Sequence, residues 1–369
     1  MREKYNSLGL MSGTSGDGVD ASLINSNGID QFELIKEKYF EYDTDIYRAI
    51  HDLKEKIHSP EDLKKFSKDI LDLERKITIF HAKVTKEFNL KGREDLIGFH
   101  GQTIYHNAKE KVSKQLGDSV LLKQLTQNKI VHNFRNNDLI NGGEGAPLSP
   151  LFHQLIVTQK KIELPVCILN IGGISNLTVV KEPIESSEFF SQDIGPGNCL
   201  IDSWVRINSN KKFDINGNLA QSGKKNEIIF EQAQELYNNR VNKNKLSFDT
   251  GDFDISFCRG LSIEDGAATL TDFTASLIGD SIYLISKKYN FKKIILCGGG
   301  RKNKILLELV KKRLPTVVKF ELIDNYGING DFVESQAFAF FAIRTLKSLP
   351  ISFPNTTKCF KPCIGGEIT

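Results

Sequence analysis

A chain of 369 residues is longer than one small core requires and predicts roughly two domains. Hydrophobic residues at 40% and charged residues at 26% are the mix of a globular protein in water, and 49 Lys and Arg against 46 Asp and Glu leave a net charge of +3, too little to favour nucleic acid as a partner. Met1-Arg2-Glu3-Lys4-Tyr5 leads towards a strand without an apolar signal core, and no apolar run is long enough to span a bilayer, so a cytoplasmic chain with no membrane partner is expected.

In chain order, Ser7-Leu8-Gly9-Leu10-Met11 and Val19-Asp20-Ala21-Ser22-Leu23-Ile24 read as strands around the turn Gly13-Thr14-Ser15-Gly16-Asp17-Gly18. Ser59 then opens a helix as N-cap, with Pro60 at the first position and Glu61 and Asp62 in the first turn. Leu63, Phe66, Ile70, Leu73, Ile77, Phe80 and Val84 continue it as one long amphipathic helix, too short for a coiled coil but leaving a homodimer open. Val166-Cys167-Ile168-Leu169-Asn170 and Leu177-Thr178-Val179-Val180 bracket a second turn, Ile171-Gly172-Gly173-Ile174-Ser175-Asn176, which repeats the plan of the N-terminus. Ile294-Ile295-Leu296-Cys297 runs into a third, Gly298-Gly299-Gly300, followed by a helix with Ile305, Leu306, Leu309 and Val310 on one face. Asp331 opens another helix with Val333, Ala337, Phe338, Phe341 and Ile343. Strands alternating with helices predict an α/β protein.

Glycine lets backbone approach a ligand closely, so amides can converge on phosphate oxygens. One such turn is also an ordinary tight turn; three in this order point to a nucleotide gripped between two lobes. An NAD-binding reading of Gly298-Gly299-Gly300 fails because the G-x-G-x-x-G spacing and an acidic ribose partner are missing. Cys167, Cys199, Cys258, Cys297, Cys359 and Cys363 contain no C-x-x-C pair and no histidine at metal spacing, which fits a reducing compartment. Cys359 and Cys363, with a proline between them, leave pairing or metal binding open.

The polar motifs carry the chemistry. Asp193, in Gln192-Asp193-Ile194-Gly195-Pro196-Gly197-Asn198, stands before a helix containing Leu200, Ile201 and Trp204. It is a candidate base for a bound hydroxyl or water, or a cap for that helix. His100-Gly101-Gln102-Thr103 offers donors and acceptors suited to sugar hydroxyls, although His100 and His106 also read as satisfied core or surface residues. Arg135 provides a fork for a substrate carboxylate, or pairs with Asp138 within its own loop. Glu334 follows Asp331 at capping-box spacing, so capping competes with sugar binding.

At these residues the chain resembles the anhydro-N-acetylmuramic acid kinase family, within the sugar-kinase, Hsp70 and actin superfamily. The resemblance spans nearly the whole length and rests on Gly9 to Asp20, His100 to Thr103, Phe134-Arg135 with Gly142 to Pro147, Leu169 to Leu177, Asp193 to Asn198, Ala268 to Thr271, Cys297 to Gly300 and Glu334 to Ala339. It implies a two-lobed actin-like (ribonuclease H-like) α/β fold with ATP and Mg2+ in an interlobe cleft. The expected lobes are residues 1–134 with about 336–369, and 135–335 with the nucleotide and catalytic loops. It also implies that water opens the 1,6-anhydro bridge of a small sugar while O6 receives the γ-phosphoryl group, giving N-acetylmuramate 6-phosphate. Asp193 is then the base, and Gly13, Thr14, Ser15, Gly16, Asp17, Gly18, Val19 and Asp20 hold ATP with Asn170, Gly172, Gly173, Gly298, Gly299 and Gly300. Asp17 stands as a possible Mg2+ contact, while His100, Gly101, Gln102, Thr103, Arg135, Asp138 and Glu334 bind the sugar.

The chain departs from the family pattern at several places. Gly16 stands where Leu is usual, Ile194 where Thr follows the base, Glu144 where Gln is common, and Asp249-Thr250-Gly251-Asp252 where the family reads Ser-Thr-Gly-Arg. Rival readings are a kinase for another anhydrosugar such as levoglucosan, and a nucleotide-switched actin-like binding protein without sugar chemistry.

Overall fold

The computed structural model describes residues 3–90, 95–182, 189–240 and 253–369. They divide into two units: residues 3–162 with 331–369, and residues 163–182 with 189–330. In the first unit β1 (Tyr5–Ser12), β2 (Gly18–Ser26) and β3 (Phe32–Glu41) form an antiparallel meander. Helices α1 (Thr44–Lys54), α2 (Pro60–Lys65) and α3 (Ser67–Lys86) follow. Next come β4 (Leu96–Asn107), its antiparallel partner β5 (Val112–Leu116), α4 (Ser119–Thr126) and β6 (Lys129–His132). β4 lies parallel to β1, and β6 parallel to β4. α5 (Asn136–Ile140) and α6 (Pro150–Gln159) complete this passage.

The helix expected after Ser59 starts there, with the Ser59 hydroxyl and the Asp62 carboxylate forming a capping box. It breaks at Phe66 (φ −99°, ψ 21°). The apolar period is thus shared between two helices: Ile70, Leu73, Ile77 and Val84 of α3 enter the core under the sheet, while α2 buries no residue.

The second unit repeats the plan. β7 (Val166–Ile171), β8 (Ile174–Val180) and β9 (Phe189–Pro196) are an antiparallel meander. After α7 (Cys199–Asn208), α8 (Asn218–Ser222), α9 (Glu227–Arg240) and α10 (Ile263–Tyr289), β10 (Lys293–Cys297) pairs parallel with β7. α11 (Lys304–Lys312) then leads to β11 (Lys319–Leu322), parallel to β10. The order β11-β10-β7-β8-β9 reproduces the order β6-β4-β1-β2-β3 of the first sheet. Each unit therefore carries the ribonuclease H-like arrangement. The chain returns to the first unit as α12 (Val333–Leu346), α13 (Pro354–Thr357) and β12 (Glu367–Ile368), the last pairing antiparallel with β6.

The boundary falls after residue 162 instead of at 134. The reason lies in α5 and α6: Phe152 packs against Phe32 and Phe340 at ring-centroid distances of 4.9 and 5.7 Å, and Gln159 bonds both the amide and the carbonyl of Phe32. The return begins at residue 331, which puts Glu334 in the first unit and not the second. Among the described residues, no helix is long and apolar enough to cross a membrane.

α12 lies directly on the first sheet. Gly9 and Gly98, register partners on β1 and β4, admit it: a Cβ on Gly9 would overlap the Ser335 carbonyl oxygen and stand 2.6 Å from the Ala339 amide, and one on Gly98 would overlap the Phe338 carbonyl. Gly9→Ala is expected to lower stability by at least ~1–3 kcal/mol, the usual cost of overpacking. Gly13→Ala, whose Cβ meets nothing nearer than Ser15 Oγ at 3.8 Å, serves as the control and should stay within about 0.5 kcal/mol. Equal urea midpoints for the two variants would contradict this packing.

Candidate active site

The first glycine turn joins β1 to β2, and its carbonyls are tied back into the protein. Gly13 O accepts from Gly16 N (3.1 Å) and Gln102 Nε2 (2.9 Å), Thr14 O from Lys54 Nζ (2.7 Å), and Asp17 O from Tyr42 N (2.9 Å) and Tyr39 Oη (3.1 Å). Carbonyl oxygens repel an anion and amides hold it, so drawing these carbonyls away suits a phosphate cradle. Ser15 Oγ donates to Asp17 Oδ1 at 2.5 Å. Gly18 and Val19 already belong to β2: Val19 is buried in the apolar core, and Gly18 packs on Phe40 and Tyr39. Asp20 is partly buried, opposite Met11.

Gln102, expected to touch sugar, holds this turn through its Nε2. Its Oε1 is buried and accepts no hydrogen bond, 3.7 Å from where a Cβ on Gly16 would stand. Gly16 itself has φ +63°, and a side chain there would meet Ile50 at 2.9 Å. The departure from Leu is thus accommodated by a left-handed turn pressed against α1.

In the second unit the other two turns close the same sheet. The carbonyls of Gly172 and Gly173 accept from the amides of Asn198, Gly197 and Cys199, which ties the second turn to the entry of α7. Gly298 and Gly300 are packing glycines, since a Cβ on either would run into Asn170 or Ile171. Gly299 has only Asn198 Nδ2, at 4.0 Å, and Gly172 nothing nearer than Ile174 O at 3.5 Å, so a ligand can approach both. Arg301, which the sequence reading passed over, fixes the third turn: Nε and Nη2 grip Asp324 at 2.8 and 2.9 Å, and Nη1 donates to Gly298 O at 3.1 Å. Its position next to Gly300 was the available signal.

Asp193 lies within β9, paired with Asn176 of β8, and is 6% exposed. It does not cap α7, whose N-cap is Asn198 with no side-chain cap bond. Between Asp193 and Gly195 the ladder slips by one residue: Asn176 faces Asp193 and Ser175 faces Gly195, leaving Ile194 as the extra residue of a bulge. Ile194 turns into the apolar cluster with Leu177 and Ile278, which accounts for an apolar residue where the family has Thr. Directly paired residues share a face, so Asn170, Asn176 and Asp193 form one polar row across β7, β8 and β9.

The first unit assembles Arg135, His100 and Glu334. His100 is the extra residue where β4 bulges against β1. Its Nδ1 donates to Gly101 O (2.8 Å), so Nε2 is the acceptor that faces Arg135 Nη2 at 3.0 Å and Nε at 3.3 Å. Burial, then the Arg135 charge, hold His100 well below the ordinary histidine range and therefore neutral. Both its nitrogens are engaged, and the second braces Arg135. Arg135 Nη1 donates to Gly145 O at 2.8 Å. Burial raises the Glu334 carboxyl while Arg135 opposes the rise. α12 is capped at Phe332 with no side-chain bond, so Asp331 and Glu334 do not form the capping box that their spacing allowed as the alternative to sugar binding.

Asp138 is engaged within the protein. Only 1% exposed, it accepts from Ser352 Oγ (2.5 Å), Thr357 Oγ1 (2.6 Å) and Gly145 N (2.7 Å), and it does not pair with Arg135. It anchors the loop whose Gly145 carbonyl steadies Arg135. Cys359 and Cys363 are free thiols beside it, with ligand atoms of the three within 4.8 Å of one another; burial pushes Cys359 up to about 12 and raises Cys363. Thr103 Oγ1 accepts from Gln115, Gly101 packs on Leu116, and Glu144 pairs with Lys358 at 2.9 Å. The Asp249 to Asp252 departure lies outside the described residues.

A family model described as anhydro-N-acetylmuramic acid kinase matches residues 5–369. The chain belongs to that family. A relative named anhydro-N-acetylmuramic acid kinase from Pelagibacter ubique (strain HTCC1062) is 53% identical over 372 residues, covering 100% of this chain and 99% of its own. Relatives of the same name from Gluconobacter oxydans (strain 621H) and Zymomonas mobilis subsp. mobilis are 36% and 35% identical, with 98% of each chain covered. Among solved structures, the activator of the 2-hydroxyisocaproyl-CoA dehydratase from Clostridium difficile with bound ADPNP aligns over 93% of this chain and 96% of its own, at 12% identity and a TM-score of 0.41. That likeness is too loose to bear on function.

Burial keeps three histidines of the first unit neutral: His100 as above, His81 pushed down to about 4 and His153 to about 3. In the unfolded chain each titrates near ~6.5, so below that pH the unfolded state binds protons that the folded state refuses, and stability falls with pH. Urea unfolding at about pH 7 and about pH 5.5 should show a loss of up to ~1.4 kcal/mol per histidine per pH unit. Stability that holds or rises on acidification would contradict this reading.

Proposed function

We propose that this protein is an ATP-dependent kinase that opens the 1,6-anhydro ring of 1,6-anhydro-N-acetylmuramic acid with water and phosphorylates O6, giving N-acetylmuramate 6-phosphate and returning a cell-wall sugar to metabolism. The observation that carries the proposal is the placement of Asp193, a buried carboxylate held at a bulge in one polar row of the sheet that also ends in the second and third glycine turns. Family membership favours anhydromuramate over levoglucosan, and Arg135 offers a cation for the lactyl carboxylate that levoglucosan lacks.

Asp193 acts as general base. It takes a proton from water as the water oxygen bonds to C1, the C1–O6 bond breaks, and O6, gaining nucleophilic character, bonds to the γ-phosphorus as ADP departs. Arg135, steadied by neutral His100 and by the Gly145 carbonyl, orients the sugar with Glu334. The first turn holds the phosphates through its amides, and Gly172 and Gly299 let the nucleotide come close. Asp17, a hard oxygen donor within that turn, is the residue that would hold Mg2+. When bound, Mg2+ supplies charge neutralisation on the phosphate oxygens.

Asp193→Asn keeps the side-chain size but cannot accept the proton at neutral pH. It is expected to lower kcat by about 10²-fold or more while calorimetry shows ATP binding retained. Turnover at the wild-type rate would remove Asp193 from the reaction.

A further inference from the structure

In the polar row Asp193 is flanked by an asparagine with an unsatisfied acceptor. Asn176 stands between Asn170 of β7 and Asp193 of β9, a direct register partner of both. It is 8% exposed, and its Oδ1 accepts no hydrogen bond. Leaving a buried amide oxygen without a donor is costly. The apolar side of the sheet does not explain it, because Leu169, Ile171 and Leu177 occupy that face and Asn176 alternates away from them.

Cross-strand partners in an antiparallel pair hold their Cβ atoms roughly 4.5–5.5 Å apart. A single small molecule can therefore touch both side chains. The atoms that would face it are acceptors, the unbonded Oδ1 of Asn176 and the carboxylate oxygens of Asp193, so a molecule with two donors suits the place between them. Water is the smallest such molecule. It is also the nucleophile that Asp193 is proposed to activate.

We infer that Asn176 is a further catalytic residue: its Oδ1 accepts one hydrogen of the attacking water while Asp193 accepts the other. With both hydrogens fixed, an oxygen lone pair is directed away from the row, towards C1. During the step, the hydrogen facing Asp193 passes to the carboxylate as the new C1–O bond forms, while the hydrogen on Asn176 stays with the oxygen and becomes that of the product hydroxyl. The assignment rests on Asp193 being the base, so the test includes that residue. A water in the Mg2+ shell would present the same O–H donor, and the test separates this source from the nucleophile.

Asn176→Ala removes the acceptor with little added bulk. It should lower kcat by ~10–100-fold, with KM for ATP and for anhydromuramate changed less than about threefold. Asn176→Asp restores an acceptor but sets a second negative charge beside Asp193, which disfavours the ionised base. It should recover part of the lost rate at high pH and move the acid limb of the kcat profile to higher pH, a displacement that a purely structural role for Asn176 would not cause. Combined with Asp193→Asn, Asn176→Ala should cost little further, because both act on one water. Melting temperatures show whether each variant is folded, and the Asp variant carries the test if the Ala variant is not. Wild-type kcat in Asn176→Ala with an inactive Asp193→Asn overturns the inference and leaves the base standing; an active Asp193→Asn overturns both. Recovery of the Ala variant by raised Mg2+, or an unmoved acid limb in the Asp variant, also overturns it.

Discussion

The register that sets Asn170, Asn176 and Asp193 opposite one another across β7, β8 and β9 is the constraint on which the proposed chemistry depends. A regular strand alternates sides, so Asp193 and Gly195 would share a face, and the next residues would carry that alternation into the entry of α7. Regular alternation along β9 puts Phe190 and Ile194 into the apolar cluster and Asp193 on the opposite face with Asn176 and Asn170, and the slip that follows lets pairing resume at Gly195. Gly195 has φ +141°, a value that residues with a Cβ rarely adopt, so the glycine after Ile194 is what allows the strand to re-enter the ladder. The base is thereby held by backbone pairing on both sides of the bulge.

The first unit obtains the same fixity by a different route. Its charged groups sit on helices and loops, and each is braced by a neighbour that cannot leave. Asp138 is an acceptor-only group surrounded by donors from residues 145, 352 and 357, so the C-terminal segment secures the loop that supports Arg135. Neutral His100 completes the bracing, because a protonated ring could not accept from a guanidinium. α12 brings Glu334 to Arg135 only because Gly9 and Gly98 let the helix backbone lie against the strands.

Much of this was legible in the sequence. The strands around each glycine turn and the repeat of that plan reappear as β1 and β2, β7 and β8, and β10, because apolar runs ended by glycine carry their own boundaries. What escaped depended on tertiary contact. The break at Phe66 interrupts a perfect helical period, and no local signal marks it. Gln102 and Asp138 have the donors and acceptors of ligand contacts, yet the fold spends both on its own backbone and side chains. The roles of Gly298, Gly299 and Gly300 differ only through what stands beside each, namely Asn170, nearly open space and Ile171. Asn176 lies in the segment of the second glycine turn, and only the register that sets it opposite Asp193 gives it meaning.

The central claim is that Asp193 directs water to the anomeric carbon while the sugar's own O6 takes the phosphoryl group. Running the reaction with anhydromuramate and ATP in water labelled with heavy oxygen, and fragmenting the product by mass spectrometry, tests it directly. The account predicts one labelled oxygen on C1 and none in the phosphoryl group or in the C6–O–P bridge. Label in the phosphoryl group, or a product whose C1 oxygen is unlabelled, would contradict it.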